Sequence, residues 1–179
     1  MTPSLGKEEL NLLKTIFNFA KKKKVKLYLV GGYLRDLILG REKENPDIDF
    51  SLKKGAISFG RKLAEEIKAG FVVLDKERGC CRLVKRLNDR TYTLDFIDFR
   101  GETLEKDLLY RDFSINALAL ELETVFHDKA LGDLSRRPGR IVGSRDSAPK
   151  GIPGGAPFID PYQGIRDLKS KVIRMVSKR

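Results

Sequence analysis

The sequence predicts an α+β fold in which a small mixed β-sheet carries acidic side chains on one face and helices on the other. Helix-like and strand-like segments are interspersed along the first 126 residues. Two strand-like runs, at 80–87 and 91–99, are separated by Asn88-Asp89-Arg90, a spacing typical of a β-hairpin. The 179 residues are enough for one domain with its own hydrophobic core.

Three helices are predicted from the spacing of apolar residues. The first covers 7–22, where one apolar stripe recurs at helical intervals. The second is short, spans 33–39 and is closed by Gly40, since glycine readily adopts the left-handed conformation that ends many helices. Ser58 is expected to cap a third helix that ends just before Gly70.

Short strands are expected at 26–30, 47–52 and 71–74, ahead of the hairpin. The segments 102–109 and 115–122 have helical or mixed character, and the pattern does not give their boundaries. After residue 158 the chain is expected to regain order, with Asp160-Pro161 as a turn and a helix or strand after Gly164.

Basic residues outnumber acidic ones and give the chain a net charge of +11. This surplus suits a polyanionic partner, because protein cations release counterions from phosphates, but a merely soluble basic surface has the same composition. No apolar run approaches the length of a membrane span, and no signal-peptide pattern is present. A cytoplasmic protein without a membrane partner is therefore expected.

Asp47-Ile48-Asp49-Phe50 alternates acidic and apolar residues at the period of a β-strand. Ile48 and Phe50 can enter the core while both carboxylates project from the other face, where they can converge on two metal ions. Mg²⁺ prefers such oxygen ligands. Most such pairs are simply the wet face of a strand, so the upstream context is needed to favour a metal site.

That context is Gly31-Gly32, which follows a strand and opens a helix. Glycines let the backbone approach a triphosphate, the helix N-terminus presents amide donors, and Arg35 adds a charge-assisted hydrogen bond. A bare pair of glycines is more often an ordinary turn. A strand, Gly-Gly and a helix followed closely by a strand with two acids is a rarer combination, and Asp36 is interpreted as a structural anion near the helix start.

A third carboxylate on a neighbouring strand would complete a nucleotidyl transfer site, because it can bind metal or help to deprotonate the attacking hydroxyl. The run 91–99 offers Asp95 and Asp98, whose odd spacing turns them to opposite faces. Asp95 shares its face with Ile97 and Phe99 and is the predicted catalytic acid. Asp98 is predicted to be a surface or hairpin residue.

Other chemistries find little support. Cys80 and Cys81 are adjacent and would point to opposite faces of a strand, so they cannot chelate one metal ion as a CxxC pair does. His127 is the only histidine, and hydrolysis of the Ser/His or Cys/His type would depend on it alone.

Three motifs resemble those of the class II tRNA nucleotidyltransferase and bacterial poly(A) polymerase family, within the DNA polymerase β superfamily. They are Gly31-Gly32-Tyr33-Leu34-Arg35-Asp36, Asp47-Ile48-Asp49 and Arg111-Asp112-Phe113-Ser114-Ile115-Asn116-Ala117, in matching order and spacing. The segments 71–83 and 159–168 are also similar. The likeness covers most of 25–125 and 158–176.

The resemblance implies a polymerase β-like nucleotidyltransferase head, with a small mixed sheet flanked by helices. The implied site residues are the metal ligands Asp47 and Asp49, the strand acid Asp95, the triphosphate contacts Gly32 and Arg35, the nucleotide contact Arg111, and Asp112 and Asn116, which shape the sugar and active-site network.

The chain departs from the family pattern in two places. Tyr110 stands where a second arginine usually precedes Arg111, and the Glu-Asp-x-x-Arg motif that recognises the incoming base is absent. The chain is therefore expected to be a fragment of a longer enzyme, or a subunit whose partner chain supplies neck, body and tail domains.

Three parts of the chain are predicted: a head at 1–126, a flexible Gly/Pro/Arg-rich loop at 127–157, and a last segment at 158–179. The last segment is expected to end the head and begin the connection to a neck. Residues 128–157 contain six glycines and four prolines. The loop arginines either touch RNA or form a solvated basic surface; they are Arg136, Arg137, Arg140 and Arg145.

The expected reaction is attack of an RNA 3′-hydroxyl on the α-phosphate of CTP or ATP, which adds CMP or AMP to tRNA with two Mg²⁺ ions. The alternatives are the head of a poly(A) polymerase, a non-catalytic RNA-binding module on the same fold, and a transferase that modifies a protein or small molecule. The sequence does not separate CCA addition, A addition and poly(A) tailing, and it does not give the oligomeric state.

Overall fold

Six strands form one mixed sheet in the computed structural model, which describes residues 6–127 and 158–176. The strands are β1 (Tyr28–Val30), β2 (Asp47–Leu52), β3 (Gly70–Asp75), β4 (Cys80–Leu87), β5 (Arg90–Asp98) and β6 (Ala119–Glu121). Their order is β3-β4-β5-β2-β1-β6. The central pair β2 and β5 is parallel, and the other neighbouring strands are antiparallel. The predicted α+β class with a small mixed sheet is confirmed.

Helices flank this sheet and connect its strands. They are α1 (Lys7–Lys22), α2 (Gly32–Leu39), α3 (Ala56–Ile67), α4 (Leu104–Leu109), α5 (Thr124–His127) and α6 (Gly164–Ser170), with a 3-10 turn at Ser114–Asn116. In the described part of the chain, none of the helices combines the length and apolar character needed to cross a membrane.

The main core lies between one face of the sheet and helices α1 and α3. A row of aromatic rings crosses it: Phe19 of α1 contacts Phe59 of α3, which contacts Phe96 of β5, which stacks on Phe50 of β2, with centroid separations of 5.4, 5.5 and 4.8 Å. Each such pair adds about 0.5–1.5 kcal/mol beyond its buried area. Because β2 alternates, burying Ile48 and Phe50 turns the acids of β2 to the opposite face.

The acidic face is covered at one end, contrary to the expectation that helices lie only on the other face. Leu104 and Leu108 of α4 pack with Val30 and Ala119 in a second apolar cluster. The segment after residue 158 also joins this end, since Ile159 pairs with Ala119 at the edge of the sheet. The second cluster therefore brings α4 close to the acids of β2.

Two local predictions are wrong. Ser58 does not cap α3; Gly55, with φ of +93°, precedes the helix, and the Asp98 carboxylate accepts a hydrogen bond from the Ala56 amide at 2.7 Å. The hairpin loop is also one residue shorter than predicted. Leu87 pairs directly with Arg90, because Asn88 adopts a left-handed φ of 48° that asparagine tolerates.

The structure defines the segments whose boundaries the sequence did not predict. Segment 102–109 becomes α4, and 115–122 divides between the 3-10 turn and β6. Helix α6 begins at Gly164, where Asp160 accepts hydrogen bonds from the Gly164 and Ile165 amides. The predicted flexible loop covers 127–157, and its residues 128–157, with all four arginines, are not among the residues that the structure describes. The predicted division into domains stays a prediction.

Candidate functional site

Three carboxylates lie on one face of the central parallel strand pair. Asp47 and Asp49 come from β2, and Asp95 of β5 is the register partner of Asp49. Asp47 is exposed, whereas Asp49 and Asp95 are half-buried. Asp98 lies on the opposite face of the sheet, against α3. Asp95 and Asp98 therefore point to opposite faces, as predicted.

Gly31 is the point where the three sequence motifs meet. Its φ of +76° lies in the region that favours glycine. A Cβ atom at this position would lie 2.8 Å from Nη1 of Arg111 and 2.9 Å from Oδ2 of Asp49. At these distances the ends of the Arg111 and Asp49 side chains would have to shift to admit a Cβ atom, so the positive φ and the position of these two functional groups both favour glycine. Gly32, which begins α2, has ordinary room beside Arg35.

Asp49 lies in an environment that opposes its charge. Burial raises the pKa of its carboxyl, Arg111 lowers it, and Asp95 and then Asp47 raise it again. Negative charge is therefore concentrated on this face of the sheet. A cation bound here would relieve both the desolvation and the repulsion.

Arg111 follows α4 and is the cation with the largest effect on the pKa of Asp49. Burial lowers the pKa of its guanidinium, while the carboxylates of Asp107 and Asp49 raise it. Its Nε atom is buried and has no hydrogen-bond partner within the described part of the chain. A cavity of about 170 Å³ opens beside it, lined in part by Asp49, Asp95, Asp107 and Arg100. A ligand oxygen in this cavity can accept from Arg111.

Arg35 is fixed at the start of α2 by two partners. Its Nε and Nη2 atoms donate to Oδ1 of Asp36 at 3.0 and 2.9 Å, and its Nη1 donates to Oδ1 of Asn116 at 2.8 Å. Asp36 is buried and also pairs with Lys43 at 3.3 Å. Asp36 thus acts by orienting cations, beyond the helix-start role expected of it. Asn116 reaches the site through Arg35.

Asp112 is placed differently from the other predicted residues. Its side chain is exposed, and its carbonyl accepts a hydrogen bond from the Val176 amide at 3.1 Å. The adjacent cysteines face opposite ways as predicted: Cys80 lines the cavity, and Cys81 is buried with its thiol donating to the Ala56 carbonyl.

The sequence interpretation missed two residues of the site. Asp107 is 4% exposed and accepts hydrogen bonds from the Ser51 hydroxyl and the Arg100 amide. The sequence feature that could have identified Asp107 is its position one helical turn before Arg111. The second is Arg82 of β4, whose guanidinium donates to both oxygens of Asp95 at 2.7 and 2.8 Å.

The donor set fits hard divalent cations at two of the three carboxylates. Asp47 and Asp49 supply oxygen ligands from one face of β2, and the charge around Asp49 favours a cation. Among residues 6–127 and 158–176, no group of three or more His, Cys, Asp and Glu side chains is placed to hold a single metal ion. Asp95 is instead directed to Arg82.

Known proteins share this sequence and fold. The family described as "Poly A polymerase head domain" matches residues 27–137. The CC-adding tRNA nucleotidyltransferase of Synechocystis sp. is 40% identical over 117 residues, covering 64% of this chain and 27% of the relative. The A-adding tRNA nucleotidyltransferase of Halalkalibacterium halodurans is 27% identical over 190 residues, covering 98% of this chain and 36% of the relative.

A solved structure supports the same grouping. A tRNA nucleotidyltransferase complexed with a primer tRNA and an incoming ATP analogue superposes with a TM-score of 0.62 at 29% identity, covering 90% of this chain and 39% of the solved one. The fold and these matches define a nucleotidyltransferase head of the polymerase β-like kind. The chain belongs to the poly(A) polymerase head-domain family, and its resemblance to the head of class II tRNA nucleotidyltransferases is confirmed. It spans about a third of the length of these relatives.

Proposed function

We propose that this chain is the nucleotidyl-transferring head of a tRNA nucleotidyltransferase, which adds CMP or AMP from CTP or ATP to the RNA 3′ end. One observation carries the proposal. Asp49 and Arg111 meet at Gly31, where an added Cβ atom would displace the ends of both side chains, and Asp95 is the register partner of Asp49. The arrangement joins acids for cations, a strand-to-helix turn for phosphates and a buried arginine in one place.

The phosphate side of the site is the start of α2. The first amides of a helix have no acceptors within it and are available to a phosphate, and Gly31, which precedes α2, has no side chain to obstruct the approach. Arg35, held by Asp36 and Asn116, supplies a fixed guanidinium for the triphosphate. Arg111 contributes a second cation from the cavity side.

Asp47 and Asp49 would hold two Mg²⁺ ions. When bound, such ions offset the charge of the transferring phosphate and activate the attacking hydroxyl. Asp95, which lies on the neighbouring strand opposite Asp49, would accept the proton of the RNA 3′-hydroxyl at its carboxylate.

The partners follow from the relatives and from charge. The similar enzymes are named as CC-adding and A-adding tRNA nucleotidyltransferases, and the solved complex contains a primer tRNA and an ATP analogue. The net charge of +11 suits an RNA partner. The grip on tRNA and the choice of base would come from neck, body and tail domains, which a longer chain or a second chain supplies.

The test is incorporation of labelled nucleotides. The protein is incubated with Mg²⁺ and each labelled nucleotide, with transcripts of one tRNA ending before CCA, after CC and after CCA. It is assayed alone and with the product of a neighbouring gene. Extension of the first two transcripts but not the third supports the proposal. Binding of tRNA without incorporation under every condition would contradict it.

A non-catalytic RNA-binding module is the second candidate, and one observation favours it. Arg82 engages both oxygens of Asp95, so the third acid is already paired. The same assay decides between the two, since a module of this kind retains tRNA without extending it. A-only extension of RNA that lacks a tRNA fold would instead indicate a poly(A) polymerase head.

A further inference from the structure

Arg82 and Asp95 form the bidentate ion pair of the acidic face. They are register partners across β4 and β5, so their side chains rise from the same face of the sheet. Nε of Arg82 donates to Oδ1 at 2.7 Å and Nη2 to Oδ2 at 2.8 Å. Hydrogen bonding to Asp95, followed by attraction to it, raises the pKa of the guanidinium. The geometry is the fork-to-fork pairing that makes arginine specific for carboxylates.

This pair engages both carboxylate oxygens of Asp95. Arg82 takes the lone pairs of Asp95 that face it and offsets the carboxylate charge, although Asp95 lies opposite Asp49 in the strand register. The described residues contain no group of three or more His, Cys, Asp and Glu side chains that could hold one metal ion.

We infer that Arg82 is a resident counter-cation of this site, which holds Asp95 while no divalent cation is bound and releases it when one binds between β2 and β5. The inference rests on the proposed function only in placing divalent cations at Asp47 and Asp49. Arg82 is a positioning residue, since it acts on the site through Asp95.

The exchange is physically easy. The side chain of Arg82 is 43% exposed, so the released guanidinium can return to water without desolvation. A divalent cation carries twice the charge of a guanidinium and attracts Asp95 more strongly at the same separation. Arg82 therefore competes with the metal ion, and this competition lowers metal affinity in the free protein.

The experiment is a titration of the nucleotide-free protein with Mn²⁺, followed by electron paramagnetic resonance of the free ion. Arg82→Met is compared with the wild type and with Arg86→Met. Arg86 is a matched control because it lies on the same face of β4, is exposed, and carries the same charge away from Asp95. The Arg82→Met protein is expected to bind Mn²⁺ roughly three- to tenfold more tightly, and Arg86→Met to differ little from wild type.

A second pair of variants shows whether Arg82 acts through Asp95. In an Asp95→Asn background, the further change Arg82→Met is expected to give no gain in Mn²⁺ affinity. Unchanged or weaker binding in Arg82→Met, an equal gain in Arg86→Met, or a gain that persists with Asp95→Asn would each overturn the inference.

Thermal melting establishes that each variant is folded. Should Arg82→Met fail to fold, Arg82→Lys takes its place, because lysine keeps the charge but loses the two-point hydrogen bonding. It is expected to give a smaller gain in Mn²⁺ affinity than Arg82→Met would, and no gain would overturn the inference.

This test is independent of nucleotide transfer, since neither nucleotide nor RNA is present. Protein that shows the Arg82 dependence but never extends RNA would contradict the proposed function and leave the role of Arg82 standing. Protein that extends RNA but binds Mn²⁺ equally well with and without Arg82 would contradict the role of Arg82 and leave the proposed function standing.

Discussion

Asp49 is the residue at which burial, repulsion and proposed metal binding coincide. Replacing it by asparagine removes a metal ligand, which is expected to cost several kcal/mol of transition-state stabilisation and at least about 100-fold in nucleotide incorporation. The melting temperature should not fall, because asparagine keeps the shape of the side chain and removes an unfavourable charge. Exposed Asp47→Ala is expected to lose incorporation at an unchanged melting temperature. Near-normal turnover in either folded variant would contradict the proposal that Asp47 and Asp49 hold two metal ions.

The raised pKa of Asp49 also sets the sign of a pH effect. A carboxyl whose pKa is higher in the folded state than in the unfolded state destabilises the fold when ionised, and protonation removes that cost. In metal-free buffer, the stability advantage of Asp49→Asn over wild type is therefore expected to be largest at neutral pH. It should shrink as the pH falls through the folded-state pKa and level off below the unfolded value. Denaturant titrations across this range measure it, and an advantage that grows on acidification would contradict it.

Gly31 allows the steric demand of the site to be separated from backbone strain. Gly31→Ala and Gly55→Ala both place alanine at a positive φ, but only at Gly31 would the new Cβ meet Arg111 and Asp49, since nothing lies within 4 Å of the Gly55 position. Gly55→Ala is expected to lose about 1 kcal/mol of unfolding free energy and keep incorporation. Gly31→Ala should lose more stability and lose incorporation as well. Equal losses in both variants would show that strain alone explains the glycine.

Strand β5 carries two acids with opposite duties, one on each face. Asp98 accepts a hydrogen bond from the first amide of α3, so Asp98→Ala is expected to lose about 1 kcal/mol of unfolding free energy and to keep nucleotide incorporation. Asp95→Asn should show the reverse pattern, with loss of incorporation at nearly unchanged stability. Chemical denaturation and the incorporation assay measure the two effects. An inactive but fully stable Asp98→Ala protein would contradict this assignment, because it would give Asp98 the catalytic role and not the stabilising one.

The elements that the sequence predicted well are those with a strong period. Helix α1 and strand β2 have the predicted bounds, because an apolar stripe or an alternation of acids and apolar residues depends only on neighbours along the chain. The Ser58 cap was wrong because Asp98, distant in sequence, supplies the cap instead. Local patterns do not contain such a contact.

Local sequence patterns also decide which residues of the candidate site could be proposed from the sequence. They single out acids and glycines on single elements, whereas the position of Arg82 depends on how two strands align. The predicted three-residue loop would have paired Arg82 with Phe96, and a one-residue slip turns every side chain of a strand to the other face. The actual loop places Arg82 opposite Asp95. Asp107 depends in turn on α4 packing against the sheet, which only the folded structure shows.

At the scale of the whole molecule, we propose that phosphate binding and base selection belong to different parts. In the proposed site, Gly31, Gly32, Arg35 and the metal acids would address groups that every nucleotide has, and the sequence contains no Glu-Asp-x-x-Arg motif for base selection. The chain alone is therefore expected to bind ATP, CTP, GTP and UTP within roughly tenfold of one another, a difference of about 1.4 kcal/mol.

Arg35→Ala should weaken all four nucleotides by similar factors, because a phosphate contact carries no base information. Calorimetric titrations with Mg²⁺ on both proteins test this. Strong preference of the chain alone for CTP and ATP would place base selection within these residues.

The parallel pairing of β2 with β5 has a consequence for how the protein folds. Strands β3, β4 and β5 follow one another and pair with their neighbours through short connections, whereas β2 joins β5 only after about forty intervening residues have been closed into a loop. Closing that loop costs entropy before any contact repays it, so this pairing is expected to form late. Asp49 and Asp95 would then remain apart in partly folded molecules, which could bind neither metal nor nucleotide at this site. Substitutions that weaken the β4–β5 hairpin should slow folding, and those in β2 should mainly speed unfolding.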